Sequence, residues 1–380
     1  MIFAQINLVF NPSFELIYSC PNSFNQLDTA IGWSTPINGG GGNPDLFHVC
    51  CTFPLKCGIP LNSGGFSFQY ANTGNSYIGI DAVNSYQIHR EYIQSKLIKK
   101  LSKGNEYCVK FYTSLRDNNL SFIKTLGAYF DDGSVSAPSF LGLISVMPQV
   151  YNSLVPLNDT INWMKIEGSF VATGDEEYIT IGNFFTDSAS GLGFFGTPTI
   201  WSSYYYIDDV CVIDASLPAY AGIDTLIQPG DSVFIGRQPE IGLDEDCIWF
   251  VNGVPIDTVA GLWVQPDSTT TYIVQQTICG NVQWDTVMVS VDTGVGMAEE
   301  THGLTRGFGV YPNPATNQLT IESPVTKATL SITNLLGQVV WQQEVREKSF
   351  SVDVSGLGKG VYFLLMKSEK GVVVRRFLKE

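Results

Sequence analysis

A membrane-spanning helix is the first thing this chain lacks: no apolar run approaches the ~20 residues needed to cross a bilayer. Charge is sparse as well, at 15% of residues, and basic charge is scarcest where most of the chain lies. The first 300 positions hold 11 Lys/Arg against 30 Asp/Glu, a balance of −19, which argues against binding a phosphate backbone. Histidine occurs three times. No two cysteines form a C-x-x-C pair, so a zinc site has neither the ligands nor the spacing it requires. Absent too are G-x-S-x-G, H-E-x-x-H and a P-loop, the commonest signatures of serine hydrolases, zinc proteases and nucleotide-binding proteins.

What is present points to strands. The 37 Gly and 18 Pro, with 23 Phe and 17 Tyr, favour strands joined by turns over helices. A hydrophobic fraction of 44% suits folded domains, and 380 residues have room for two or three of ~100–200 residues each. An all-β protein is expected. Its acidic surface serves solubility, with calcium binding as an added capacity. Eight cysteines, Cys20, Cys50, Cys51, Cys57, Cys108, Cys211, Cys247 and Cys279, favour disulfides formed in an oxidising compartment. The opening "MIFAQINLVFNPSFE" is too short in its apolar run for a complete signal peptide. Residues 1–5 read as the remnant of one, cleaved near Ala4.

Three segments follow. From Ile6 to Ser216, apolar-alternating runs such as Ser76–Ile80, Tyr107–Ser114, Thr125–Phe130, Tyr178–Phe184 and Tyr204–Ile213 predict a two-sheet sandwich of jelly-roll type. In "REYIQSKLIKKLSKG" the spacing of Ile93, Leu97, Ile98 and Leu101 is helical, while Ile93, Ser95 and Leu97 also fit a strand, and periodicity leaves both open. From Leu217 to Val291 the runs Ser232–Ile235, Cys247–Val251, Thr271–Gln275 and Val287–Val291 predict a small immunoglobulin-like sandwich. Trp249 lies beside Cys247, and a Cys247–Cys279 bridge is the natural reading. Residues 292–306 are polar and unpatterned, a linker. From Thr301 onward the charge reverses, with 10 Lys/Arg against 6 Asp/Glu. Residues 307–380 predict about seven short strands, ending in a basic hairpin over Lys359–Glu380.

The last segment carries several agreeing motifs: "YPNP" (Tyr311, Pro312, Asn313, Pro314), "ITNLLGQVV" with Gly337, "DVSGLGKGVYFL" with Gly360 and Tyr362, and the terminal "RRFLKE". It resembles the C-terminal sorting domain of proteins exported by the type IX (Por) secretion system of Gram-negative bacteria. The resemblance implies a small β-sandwich read as an address by that machinery, with passage through the periplasm and delivery to the cell surface or the medium. The middle segment resembles the PKD-like or immunoglobulin-like spacers of such proteins, in "QPGDSVFIG", "IWFVNGVPIDT" and "VQPDSTTTYIVQQTICG". The first resembles carbohydrate-binding-module jelly rolls of the galactose-binding type, through "NLVFNPSFE", Gly32–Trp33 and "YYYIDDVCV". That resemblance favours the strand reading of "REYIQSKL".

Candidate chemistry is concentrated in the first segment. Glu15 ends the first strand motif and Asp208 and Asp209 lie in the last, so a jelly roll brings them together. Calcium prefers such hard oxygens, and modules similar to this one carry a structural calcium there. The competing reading is that these carboxylates accept loop N–H groups. Stacking on a sugar ring requires aromatic faces, for which Tyr92, Tyr112, Tyr129, Trp163 and Trp201 are candidates. Alternation puts Tyr204 and Tyr206 on one face and Tyr205 on the other, so the three are not expected to be buried together. The carboxylates Asp175, Glu176 and Glu177 are the material for a glycosidase pair, yet in a turn they are expected to point apart into solvent. His48 beside Cys50 and Cys51 invites a Cys–His nucleophile, against which bridged cysteines are the plainer reading. His89, Arg90 and Glu91 read as an ion-paired or strand-edge cluster. Cys20 is expected to bridge one of Cys50, Cys51 or Cys57, and Cys108 and Cys211 can pair across strands. The leading expectation is a non-catalytic glycan-binding or adhesion protein of the cell surface. The alternatives are a self-assembling surface protein whose jelly roll contacts protein, and a polysaccharide hydrolase.

Overall fold

The computed structural model describes residues 6–36, 44–62, 65–85, 90–136, 142–199, 201–292, 308–323, 325–335, 337–368 and 371–380. The signal remnant at 1–5, nearly all of the linker at 292–306, and His89 fall outside them. The protein is all-β. Among the described residues the α-helix is a single turn, Pro54–Cys57, and no helix is long and apolar enough to cross a membrane. The chain forms two compact units, Met1–Val291 and Asp292–Glu380.

In the first unit a jelly roll is built from two five-stranded antiparallel sheets. One runs in the order Trp33–Ser34, Ile93–Lys96, Tyr178–Gly182, Gly127–Asp131, Val150–Tyr151. The other runs Met164–Val171, Glu106–Leu115, Ser202–Asp214, Ser76–Asn84, Asp45–His48. Alternating apolar residues of both sheets, among them Ile93, Ile179, Ile181 and Phe130 against Ile80, Phe111 and Ile207, close one core between them. Ile93–Lys96 is a strand, paired with Tyr178–Gly182 and Trp33–Ser34. Its apparent helical period arises because the chain leaves the strand at Lys96, after which Leu97 and Leu101 drop into the same core from a bridge and a turn.

The tyrosine triplet departs from expectation. Tyr205 enters the main core, and Tyr204 and Tyr206 do lie on the opposite face, yet all three are buried. That opposite face is covered by the segment Val49–Tyr70. Cys20–Cys50 and Cys51–Cys57 bridges staple this segment, and Phe47, Tyr77, Cys51 and Cys57 complete a second cluster beneath it.

The second sandwich places Thr225–Ile227, Asn281–Val291, Thr270–Ile278, Cys247–Val251 and Val254–Asp257 in one sheet, facing a pair formed by Val233–Gly236 and Gly261–Val264. Asn252 and Gly253 take positive φ, 52° and 77°, the conformation of a two-residue hairpin turn between strands of natural twist. Trp249 is fully buried and donates its Nε1–H to the Val259 carbonyl at 2.7 Å.

The expected Cys247–Cys279 and Cys108–Cys211 pairs do not form. Cys108 of the jelly roll bridges Cys279, 171 residues away, while Cys211 and Cys247 are buried free thiols. Cys279 does not lie in a strand. It occupies the turn that joins Thr270–Ile278 to Asn281–Val291 and so reaches out of its own sandwich. The bridge belongs to a built junction, in which Cys108, Cys211 and Ile213 of the jelly roll share one core with Cys247, Trp249 and Val287. Lys110, 1% exposed, donates to Asp246 Oδ2 and to the Gly242 carbonyl, each at 2.7 Å. Glu240 in turn accepts the backbone N–H groups of Ile6 and Asn7.

The second unit is a small sandwich of a three-stranded sheet (Gly309–Tyr311, Gln318–Glu322, Ser349–Asp353) and a four-stranded one (Val339–Val345, Ala328–Thr333, Gly360–Ser368, Gly371–Lys379). Leu319, Ile321, Leu330, Ile332, Leu364 and Phe377 fill its core. The terminal hairpin pairs in continuous register from Gly360↔Lys379 to Ser368↔Gly371. Asn313 of "YPNP" holds it by accepting the Leu378 N–H at 2.9 Å. Tyr311 donates to Glu322 at 2.7 Å, Gly337 turns the chain after Asn334, and Tyr362 stacks on Phe377 at 5.7 Å between centroids.

Candidate functional site

Two places in the jelly roll concentrate functional chemistry. The first is a short loop, Asn72–Asn75, held by all three of the carboxylates singled out above. Strict alternation would aim Asp208 and Asp209 to opposite sides of their strand. A β-bulge between Asp208 and Cys211, with Asp209 at φ 50°, turns both toward the loop. Asp208 accepts the Asn72 N–H at 2.8 Å, and Asp209 accepts the Asn72 amide and the Thr73 hydroxyl, each at 2.6 Å. Glu15 accepts the Asn75 N–H at 2.6 Å. Gly74 has φ 65°, and a Cβ there would lie 2.3 Å from Glu15 Oε1, so the loop passes Glu15 only as glycine.

Burial, and then the charge of its neighbour Asp209, push the Asp208 carboxyl well above the usual carboxylate range. Asp209 is also raised by burial, against hydrogen bonds from Thr73 and Asn72. Two adjacent, dehydrated carboxyls offer hard oxygens of the kind calcium takes, here engaged by the Asn72 and Thr73 donors. The three carboxylates nonetheless do not close within 4.8 Å of one another. Among the described residues the group that does is Cys108, Glu167 and Cys279, where the two sulfurs are bonded to each other.

The second place is the outer face of the sheet containing Ile93–Lys96, Tyr178–Gly182 and Gly127–Asp131. Residues facing away from the core form two rows across the strands. Ser34, Gln94, Thr180 and Tyr129 are in register in one, and Lys96, Tyr178 and Asp131 in the next. Gln94 and Thr180 are buried polar side chains, joined by a 3.0 Å bond from Gln94 Nε2 to Thr180 Oγ1. Lys96 lies 5.6 Å from the centre of the Tyr178 ring. Beside them Tyr129 packs against the buried cluster of Tyr92, Ile144 and Phe184, and burial followed by Asp131 and Asp132 raises its hydroxyl pKa.

The five aromatics proposed from sequence do not converge. Tyr129 and Tyr92 stand on this face, both against Phe184, but Tyr92 is covered there, its hydroxyl donating to the Asn183 carbonyl and accepting the Ile144 N–H. Tyr112 sits at the junction of the two sandwiches and donates to Glu245 at 3.1 Å. Trp163 packs on Tyr77 and donates to the Tyr70 carbonyl. Trp201 packs against the main core and Phe194. Gln94, Thr180 and Tyr178 were not picked out from sequence. Their signal is a polar residue at each alternate, non-core position of two neighbouring strands.

The hydrolase candidates have other employment. Glu176 is not solvated: it turns inward and accepts the Thr173, Gly174 and Asp175 N–H groups. Burial raises its carboxyl, and those donors outweigh it to hold the group below its ordinary value. Glu177 faces Lys96 and Lys100 at 3.7 and 3.6 Å, and Asp175 faces Lys100 at 3.8 Å. His48 Nδ1 accepts the Cys50 N–H, and both cysteines beside it are bridged, so the Cys–His nucleophile does not exist. Arg90 pairs with Asp187 at 2.5 Å, and Glu91 accepts the Asp81 N–H.

Among curated proteins, none matches the chain in sequence. Of solved structures, the CBM22-1 xylan-binding domain of Paenibacillus barcinonensis Xyn10C is similar over 56% of this chain and 97% of its own, at 13% identity and a TM-score of 0.30. The K3 cleaved adhesin domain of Lys-gingipain from Porphyromonas gingivalis w83 is similar over 54% and 99%, at 14% identity and a TM-score of 0.29. A titin tandem of immunoglobulin domains, A164-A165, is similar over 42% and 93%, at 9% identity and a TM-score of 0.16. None of these likenesses assigns a ligand. Residues 309–380 match the family described as "Secretion system C-terminal sorting domain". The chain carries the type IX sorting domain over these residues and is exported by that route to the cell surface or beyond it.

Proposed function

We propose that this exported chain is a non-catalytic binding protein whose jelly roll recognises a glycan on the outer face of the Ile93–Lys96, Tyr178–Gly182 and Gly127–Asp131 sheet. The observation that carries this reading is the pair of half-buried rings Tyr129 and Tyr178, with exposed Ser34 and Lys96 in register on a face turned away from the core, braced beneath by the buried Gln94–Thr180 pair. A sugar ring asks for this combination: an aromatic face to stack on, with amide, hydroxyl and charged groups beside it for its own hydroxyls. Calcium, in this reading, is structural. Asp208 and Asp209 would hold it, and it would neutralise their mutual repulsion and fix the Asn72–Asn75 loop, whose far end Glu15 clamps separately.

Titration of the full chain against a broad panel of neutral and acidic oligosaccharides tests the function. At least one class is expected to bind, and Tyr129→Ala and Tyr178→Ala are each expected to weaken it about tenfold, the ~1.4 kcal/mol of one lost stacking or hydrogen-bonding partner. A folded chain that binds nothing on the panel, or binds equally well with both changes, overturns the assignment.

A further inference from the structure

The covering segment Val49–Tyr70 has inverted polarity. In its hairpin, Asn62 pairs with Ser67 and Leu61 with Phe68. The polar pair is the buried one: Tyr206 donates to Asn62 Oδ1 and contacts Ser67 Oγ, both at 2.8 Å, and Asn62 Nδ2 donates to Tyr77. The apolar pair points outward. Phe53 and Leu55 beside the Cys51–Cys57 bridge, with Leu61, Phe66, Phe68 and Tyr70, are between 41% and 74% exposed. Phe68 meets Tyr70 edge-on at 5.4 Å, and Leu55 lies against Gly65, next to Phe66. At roughly 200 Å² per large side chain, this leaves about 700 Å² of apolar surface on one stapled loop. That exceeds the ~300–600 Å² of an ordinary monomer's largest patch and approaches the ~800 Å² each partner buries in a standard interface.

The chemistry of the patch selects its occupant. Between Val49 and Tyr70 the sole charged residue is Lys56, lying 5.8 Å from the Phe53 ring centre. A single cation on an acidic protein is a poor attractor for anionic lipid. Leu55 and Leu61 offer a sugar no hydrogen bonds, and the side chains of Asn62, Ser67 and Gln69 are turned inward. A basic protein would find no carboxylate within the segment. Among the described residues the carboxylate hydrogen-bonded to it is Asp117, which accepts the Phe68 N–H at 2.9 Å. A surface with one cation and one anion bordering an apolar centre is self-complementary under a two-fold axis. We propose that this patch is where a second copy of the chain docks, Lys56 of each copy meeting Asp117 of the other. This is independent of the glycan reading, which uses a different sheet.

Sedimentation of the full chain over a concentration series tests it. A reversible dimer is expected, shifted at least tenfold toward monomer by Phe66→Ser with Phe68→Ser. Lys56→Glu and Asp117→Lys are each expected to weaken it, and the two charge reversals together to restore it. That restoration separates a lost contact from a damaged fold. A chain that stays monomeric to its solubility limit, or a dimer indifferent to all four changes, overturns the proposal. So does a monomer that binds phosphatidylglycerol vesicles through Phe66 and Phe68, which would give the patch to a membrane surface.

Discussion

Lys110 Nζ lies 2.7 Å from Asp246 Oδ2, with both side chains sealed between two sandwiches of the same unit. Burial pulls the ammonium down, yet the Asp246 and Glu245 carboxylates hold it above its ordinary value. Burial pushes the Asp246 carboxyl up to about 6 against the pull of Lys110. Neither charge is tolerable there without the other. Lys110→Met is therefore expected to cost about 3–5 kcal/mol, whereas Lys110→Met with Asp246→Leu recovers most of it. Denaturant unfolding reads both, and a single change costing under ~1 kcal/mol would show that the junction does not depend on the pair.

The Cys108–Cys279 bridge closes 171 residues of sequence, so it removes much of the unfolded chain's freedom. Cys108→Ser with Cys279→Ser is expected to lower stability by about 4–5 kcal/mol. Cys211 and Cys247 should stay unreactive in the native protein, because burial raises both thiols, Cys247 to about 12. Thiol titration should find no reactive group in the folded chain and two after unfolding. A fast-reacting thiol in the native chain would contradict this packing.

Calcium is expected to raise the melting temperature at neutral pH by its binding linkage, about 2.7 kcal/mol when its concentration is 100 times the dissociation constant. Asp208→Asn should abolish that rise while leaving the calcium-free protein folded. A melting temperature that ignores calcium in the unaltered chain would leave these carboxylates as loop clamps alone.

Asp45 and Glu91 give stability a pH dependence of definite sign. Burial lifts Asp45 to about 6, helped by Asp81 and opposed by the Tyr204 hydroxyl, the Asn25 N–H and Arg116. Burial, with Asp81 and Asp45, lifts Glu91 well above its usual range, opposed by the Asp81 N–H. Both folded values exceed the unfolded ones, so the folded state binds protons that the unfolded chain releases. Their contribution is fully present below the unfolded carboxylate range and is lost as pH rises through the folded values, about 6 for Asp45. Melting temperature without calcium should climb from about pH 8 to about pH 5, and Asp45→Asn with Glu91→Gln should flatten that climb. Glu176 acts oppositely: its lowered value contributes stability above the unfolded range, lost as pH falls through the folded one.

Much of the architecture is written in local patterns. Two-residue alternation located Tyr107–Ser114, Tyr178–Phe184 and Tyr204–Ile213, because a strand buried on one face must alternate. The "YPNP" to "RRFLKE" motifs marked the sorting domain because they recur at fixed spacing in one small sandwich. The sites were legible only in part. Glu15, Asp208 and Asp209 were found from sequence, but their common target, the Asn72–Asn75 loop, was not, since a one-residue bulge reverses the direction alternation predicts.

The sequence by itself determined an all-β, acidic, disulfide-bearing chain with a basic terminal address, because composition, alternation and turn chemistry act over a few residues. Tertiary structure decided what depends on distant neighbours. It brought Cys108 to Cys279 in place of Cys247, and it buried Tyr204 and Tyr206 under a stapled loop. It also turned that loop's apolar side outward and its polar side in. Those outcomes rest on which surfaces meet, and burial energies between segments far apart in sequence leave no local trace.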